Sequence, residues 1–121
     1  GVIGAGPVGC ELAQAFARFG SRVCLIEAQH GILPKEDRDA AQIVEQQLVK
    51  DGVQVLCCGT GLRVSKADGG KRLTVDSHGR LHDVTVDEIL VGVGRAPNVE
   101  GLGLEAVGVE FDKNGVKVNG R

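Results

Sequence analysis

Near its start the chain reads Val2-Ile3-Gly4-Ala5-Gly6-Pro7-Val8-Gly9. Two apolar residues lead into a turn with three glycines and an amphipathic stretch follows, an order that predicts a strand, a tight turn and a helix. The spacing G-x-G-x-x-G alone is only a weak indication of a nucleotide site. Here, however, Glu27 ends the next apolar run, 23 positions after Gly4, close to the ~20 expected for a ribose-binding acid. The stretch therefore predicts a dinucleotide pocket.

The residues of this turn have separate expected roles. Gly4 permits a sharp turn, Gly6 lets the backbone approach a pyrophosphate, and Gly9 lets the helix pack close to the strand. The amides of Val8 and Gly9 are expected to face the phosphates, since helix starts attract anions. Pro7 suits the first helical turn, where its missing N–H costs little. The alternative is a tight turn that binds no ligand.

The first half of the chain alternates strands and helices. Apolar spacing and stop signals predict helices over 7–19 and 37–51 and strands over 2–3, 23–26 and 53–57. Because the connections are short, the strands should be parallel with right-handed crossovers, as in half of a doubly wound fold.

In the second half the apolar residues follow a strand-like period. Alternating segments over 62–65, 73–76 and 84–86 predict an antiparallel meander with turns at 68–70 and 78–80. The apolar run 89–93 predicts a buried strand that returns to the parallel sheet. The remaining predicted elements are a helical turn over 104–107 and two short strands over 109–111 and 116–118. The predicted fold class is α/β: a Rossmann-like, three-layer domain with a parallel sheet, helices on one face and the meander on the other, covering residues 1–121.

Composition narrows the functional classes. The formal charge is −2 and the basic residues are scattered, which argues against nucleic acid because phosphate binding needs a gathered basic surface. No apolar run approaches the ~20 residues of a membrane span, so we expect no membrane partner.

The cysteines predict reduced core or near-core thiols in a cytoplasmic protein. They lack C-x-x-C spacing, and three of them lie in apolar runs, where a thiol behaves as a small hydrophobe. A redox or metal-thiolate role for Cys57-Cys58 is disfavoured, since no basic neighbour or helix start is evident in the sequence to activate these thiols. No metal site is predicted. The four are Cys10, Cys24, Cys57 and Cys58.

Three motifs in this order resemble the nicotinamide-nucleotide domain of the pyridine nucleotide–disulfide oxidoreductases, flavoproteins that include dihydrolipoyl dehydrogenase, glutathione reductase and mercuric reductase. The motifs are the glycine stretch through Glu11, the acid Glu27, and Val91-Gly92-Val93-Gly94-Arg95-Ala96-Pro97-Asn98. The pairing of the first and last motifs is more specific than either alone, and the resemblance covers essentially the whole chain.

The resemblance implies a function and partners. The domain would bind NAD(H) and orient the nicotinamide for hydride transfer to or from FAD, which other domains of a homodimeric parent would hold together with a dimerisation domain. This chain would then be a fragment of that parent and would not turn over alone. The alternatives are a non-catalytic NAD-responsive binding module and an ordinary Rossmann dehydrogenase domain.

The resemblance also assigns roles to single residues. Glu11 would lie near the nicotinamide and flavin, although its spacing fits an ordinary exposed helix acid equally well. Gly94 would back the nicotinamide side of the pocket, and Arg95 would lie nearer the flavin. Pro7 replaces an aromatic residue that covers the nicotinamide site in some relatives.

Cofactor choice depends mainly on one acid. The charge of Glu27 would repel a 2′-phosphate, so NAD is favoured over NADP. Against this, His30 and Lys35 lie in the loop where NADP-using relatives place basic residues. Glu27 could also be an ordinary solvated acid at a strand end.

Overall fold

The computed structural model describes residues 1–119, so the last two residues of the predicted domain lie outside the described part. In chain order its elements are β1 (Val2–Ile3), α1 (Pro7–Arg18), β2 (Cys24–Ile26), α2 (Arg38–Lys50), β3 (Gln54–Leu56), β4 (Gly59–Ala67), β5 (Gly70–Ser77), β6 (Arg80–Val86), β7 (Leu90–Val91), a 3-10 turn (Glu105–Val107), β8 (Phe111–Asp112) and β9 (Gly115–Val116).

The main sheet is parallel, with strand order β3-β2-β1-β7. Its two sides bury different residues, because neighbouring side chains along a strand point to opposite faces. In β2, Leu25 packs towards the two helices, whereas Cys24 and Ile26 pack towards the meander.

The meander β4-β5-β6 is antiparallel and covers the second side of the sheet. Leu73 and Val75 of β5 are fully buried there. The strands of the meander are longer than the sequence predicted, since the strand pairing continues up to each of the two turns. The predicted three-layer α/β fold is confirmed.

The face of α1 that packs on the sheet consists of small residues. Gly9, Cys10 and Ala13 are buried, because the helix lies too close to the strands for large side chains. The larger apolar residues whose helical spacing predicted this helix are exposed instead. They are Val8, Leu12, Phe16 and Phe19.

Two predictions for the end of the chain need correction. The strand predicted over 89–93 is only β7, and Val91 and Val93 are exposed rather than buried, since β7 lies at the edge of the sheet. The last hairpin has a two-residue turn, since Asp112 pairs with Gly115, so its strands lie closer together along the chain than the predicted 109–111 and 116–118 and are β8 and β9.

No helix in the part of the chain from residue 1 to 119 is long and apolar enough to cross a membrane.

Candidate functional site

The glycines of the first turn have different structural requirements. Gly4 has a φ of 97°, and a Cβ there would lie 2.6 Å from the carbonyl oxygen of Gly92. A Cβ at Gly9 would overlap the carbonyl oxygen of Gly4. Gly6, by contrast, has a φ of −72°, and a Cβ there would meet nothing within 4 Å. The fold itself therefore requires glycine at positions 4 and 9 and not at position 6.

Among residues 1–119, no side chain caps the N-terminus of α1. Gly6 is its N-cap, Pro7 occupies the first turn, and no side chain accepts a hydrogen bond from the first amides. The first turn also contains no acidic residue. In α2, by contrast, the Asp37 side chain accepts from the amides of Asp39 and Ala40. Since helix starts carry unpaired N–H groups and partial positive charge, the first amides of α1 remain available to an acceptor other than the described side chains.

The peptide of Ala5 holds the turn in place. Its N–H donates to Glu27 Oε2 at 2.8 Å, and its carbonyl oxygen accepts from the N–H of Leu33 at 2.8 Å. The thiol of Cys10 lies 3.3 Å from the same carbonyl oxygen. Ala5 is completely buried, so the turn is fixed by the chain on both sides of this peptide.

Glu27 connects the end of β2 to the glycine turn. In addition to the Ala5 bond, its Oε1 accepts from the N–H of Gln29 at 2.9 Å, and its backbone carbonyl accepts from Gly59 at 2.8 Å. The side chain is half-buried. The structure thus brings together the glycine turn and the acid that the sequence singled out.

The other predicted residues are less closely grouped. The end of β7 reaches the glycine turn through Gly92, whose N–H donates to the carbonyl oxygen of Ile3 at 2.7 Å. Gly94 and Arg95 follow this contact and are exposed. On α1, Pro7, Val8 and Glu11 are also exposed.

Comparison with known proteins identifies the family. The family model described as pyridine nucleotide-disulphide oxidoreductase matches residues 1–121. The chain belongs to this family.

The relatives of this chain are oxidoreductases. The chain is 38% identical over 120 residues to dihydrolipoyl dehydrogenase of Bacillus subtilis, and the match covers 98% of this chain and 26% of that protein. The HOCl-induced flavoprotein disulfide reductase RclA of Escherichia coli superposes with a TM-score of 0.82 at 32% identity, over 98% of this chain and 26% of that one. The water-forming NADH oxidase of Lactobacillus brevis, solved bound to NADH, gives 0.74 at 30% identity, over 93% and 24%. The chain thus spans about a quarter of the length of these relatives.

Two of the cysteines are buried core thiols, as predicted. Cys10 and Cys24 are buried. Burial, followed by the charge of Glu27, raises the pKa of Cys10 to about 11, and burial also raises the pKa of Cys24.

The other two cysteines differ from the expectation. Cys57 Sγ lies 3.2 Å from His78 Nε2, and Cys58 Sγ lies 3.4 Å from His30 Nδ1. The premise that these thiols have no basic neighbour is therefore wrong. Sequence reasoning missed the cluster because His30 and His78 are far from the cysteines along the chain; the adjacent cysteines were its only local signal.

Proposed function

We propose that this chain binds NAD(H) and orients the nicotinamide for hydride transfer to or from FAD held by other parts of a longer flavoprotein. Gly6 is the observation that carries the proposal. Its backbone conformation is open to any residue and its Cβ position is clear, so the chain's own packing gives no reason for glycine. A pyrophosphate that passes close to the backbone gives one.

The residues around Gly6 fit such a ligand. The unpaired amides at the start of α1, including those of Val8 and Gly9, would donate to the phosphates, and the helix dipole would add attraction. The buried Ala5 peptide keeps the turn in one conformation, which lowers the ordering cost of binding. NAD(H), when bound, supplies the hydride chemistry, while the chain supplies binding and orientation.

NAD is the favoured cofactor and NADP the less favoured one. Glu27 is fixed beside the turn by two backbone amides, where its charge would accept ribose hydroxyls and repel a 2′-phosphate. One basic residue of the neighbouring loop is already engaged, since His30 lies against Cys58.

Family membership extends the proposal to the whole protein. We propose that Glu11, Gly94 and Arg95 lie on the nicotinamide and flavin side of the pocket, with Pro7 at its edge. The remaining three quarters of the relatives' length would supply the FAD site and a dimerisation domain in a homodimer. All four cysteines are free thiols, which suits a reducing compartment such as the cytoplasm.

Calorimetric titration of the chain with NADH and NADPH tests the proposal. We expect NADH to bind more tightly, and Glu27→Arg to reverse the order because it exchanges repulsion of the 2′-phosphate for attraction. Glu36→Arg is the control, since it makes the same charge change at an exposed position of the loop that follows Glu27, and it should keep the preference for NADH. Failure of the chain to bind either nucleotide would sink the proposal.

A further inference from the structure

Four ligand-type side chains from three separate segments meet beside the end of β3. Cys57 and Cys58 follow β3, His78 lies in the turn between β5 and β6, and His30 lies in the loop after β2. The ligand atoms of Cys57, Cys58 and His78 all lie within 4.8 Å of one another. His30 completes the group, since its ring lies edge-on to that of His78 with centroids 6.4 Å apart.

Two sulfur–nitrogen distances in this cluster are close to those of a tetrahedral metal centre. With Zn–S of ~2.3 Å and Zn–N of ~2.1 Å, sulfur and nitrogen ligands of one zinc ion lie ~3.6 Å apart. The two sulfur–nitrogen distances here are 3.2 Å and 3.4 Å. These two pairs would need shifts of only a few tenths of an ångström, whereas His30, which lies outside the group of atoms within 4.8 Å of one another, would have to move closer to the other ligands.

The backbone holds the ligands in place. The hydroxyl of buried Ser77 donates to the carbonyl oxygen of Cys57 at 2.6 Å, and the N–H of Cys58 donates to the carbonyl oxygen of Gln29 at 2.9 Å. Cys58 and His78 both have a φ of 54°, in the left-handed region that few non-glycine residues adopt. Two of the three ligand-bearing segments, those of Cys58 and His78, thus have an unusual backbone conformation.

Pairwise hydrogen bonds alone explain this arrangement poorly. A thiol is a weak donor and a weak acceptor, so two thiol–imidazole contacts offer little to offset two left-handed residues. In the turn at 78–79, where both residues have positive φ, asparagine followed by glycine is the preferred pair. Histidine in that position is better explained by what its ring binds.

We propose that Cys57, Cys58, His78 and His30 bind one thiophilic divalent cation, with Zn²⁺ as the fitting ion, at a site separate from the glycine turn. Two sulfur and two nitrogen ligands are the donor set of tetrahedral zinc. On binding, each thiol releases its proton to solvent and the resulting thiolate coordinates the ion. No electron transfer is involved.

The test is titration of the reduced chain with Co²⁺ and Zn²⁺. We expect one equivalent of Co²⁺ to give the visible absorption bands of tetrahedral thiolate coordination, and Zn²⁺ to displace it. Loss of a residue that only hydrogen-bonds to a metal ligand lowers metal affinity roughly 10–100-fold. Loss of a ligand itself should have a larger effect, so we expect weaker binding by more than ~100-fold in each of Cys57→Ser, Cys58→Ser and His30→Gln.

His78→Asn separates loss of a ligand from loss of the fold. Asparagine suits this turn, so the circular dichroism spectrum should be unchanged while metal affinity falls more than ~100-fold. Cys24→Ala and His82→Asn are the controls, and both should bind metal like the original chain. Tetrahedral cobalt bands that survive Cys57→Ser with Cys58→Ser, or the absence of stoichiometric binding by the folded chain, would overturn the proposal.

Discussion

Gly6 and Gly9 stand three residues apart in one turn and have opposite requirements. At Gly9 a side chain would overlap the backbone of Gly4, whereas at Gly6 it would project into open space. A substitution at Gly6 is therefore expected to affect ligand binding, and a substitution at Gly9 is expected to affect folding.

Alanine at each of these positions should separate binding from folding. Gly6→Ala should leave the free energy of unfolding unchanged or raise it by ~0.4–1 kcal/mol, while NADH affinity falls at least ~10-fold, or ~1.4 kcal/mol, because the new methyl group blocks the approach of the pyrophosphate. Gly9→Ala should prevent cooperative folding. Urea unfolding and calorimetry measure both effects, and an unaltered NADH affinity in Gly6→Ala would contradict the assigned role.

The cysteines should divide into two classes towards iodoacetamide. With its pKa raised to about 11, Cys10 is roughly one part in a thousand thiolate at pH 8, and the thiolate is the reacting form. Since Cys10 remains protonated until the pH approaches 11, and burial protects Cys24 as well, native alkylation should reach only the half-buried Cys57 and Cys58. Cys58 should react the more slowly, because desolvation and the neighbouring Cys57 raise its pKa. Peptide mass spectrometry measures the sites, with urea-unfolded chain as the control in which all four react. Rapid labelling of Cys10 in the folded chain would disprove this division.

Helices α1 and α2 are joined by one carboxylate, at the C-cap of α2. Asp51 Oδ2 accepts from Gln14 Nε2 at 2.7 Å and from Arg18 Nε at 3.0 Å, and Asp51 Oδ1 accepts from Gln47 Nε2 at 2.9 Å. Desolvation alone would raise the pKa of Asp51, but these hydrogen bonds outweigh it and hold the pKa below its ordinary value.

Removing this charge should loosen the pair of helices in a pH-dependent way. A carboxyl whose pKa is lowered by folding stabilises the folded state above its unfolded pKa, and that stabilisation is lost as pH falls through the folded pKa. Asp51→Asn should therefore lower the urea midpoint at pH 7, and the difference from the original chain should shrink below about pH 4. Glu110→Gln, which removes an exposed ion pair of 3.6 Å with Lys117, should change the midpoint little. An equal loss at pH 7 and pH 3 would contradict the charge-based explanation.

Local pattern was sufficient for the elements that are long and regular. The predicted limits of α2 match its N-cap and C-cap, Asp37 and Asp51, because caps and stop signals are local. The exposure of β7 and the packing face of α1 were not predictable in this way. Which side of an element is buried depends on what packs against it, and here close backbone contact at Gly9 and an edge position in the sheet decided the outcome.

For the whole molecule, the order of strands and helices was enough to predict three layers. The sequence also singled out the glycine turn and Glu27, which the structure places side by side. The hydrogen bond from Ala5 to Glu27 and the cluster of Cys57, Cys58, His30 and His78 were not accessible. Both require the relative placement of distant segments to within an ångström, which a sequence pattern does not contain.

The proposed division of labour predicts that this chain alone binds NADH and oxidises none of it. The hydride acceptor, FAD, would be held elsewhere in the longer protein. The absorbance of NADH should therefore stay constant when the chain is added, and a redox dye that accepts electrons from flavoproteins should remain oxidised. A full-length relative such as dihydrolipoyl dehydrogenase is the positive control. Turnover of NADH by the chain without added flavoprotein would contradict the proposal.

The position of β1 between β2 and β7 has a consequence for the order of folding. Val2 pairs with Leu25 on one side but with Leu90, 88 positions later, on the other, whereas the strands of the meander are joined by turns of a few residues. Closing a long loop costs more chain entropy than closing a short one, and distant pairings slow folding. In pulse-labelled hydrogen exchange, the amide of Leu73 should gain protection before that of Gly92. Since Gly92 joins the glycine turn through the hydrogen bond from its N–H to the carbonyl oxygen of Ile3, a growing chain would complete its meander first and the proposed nucleotide site only afterwards.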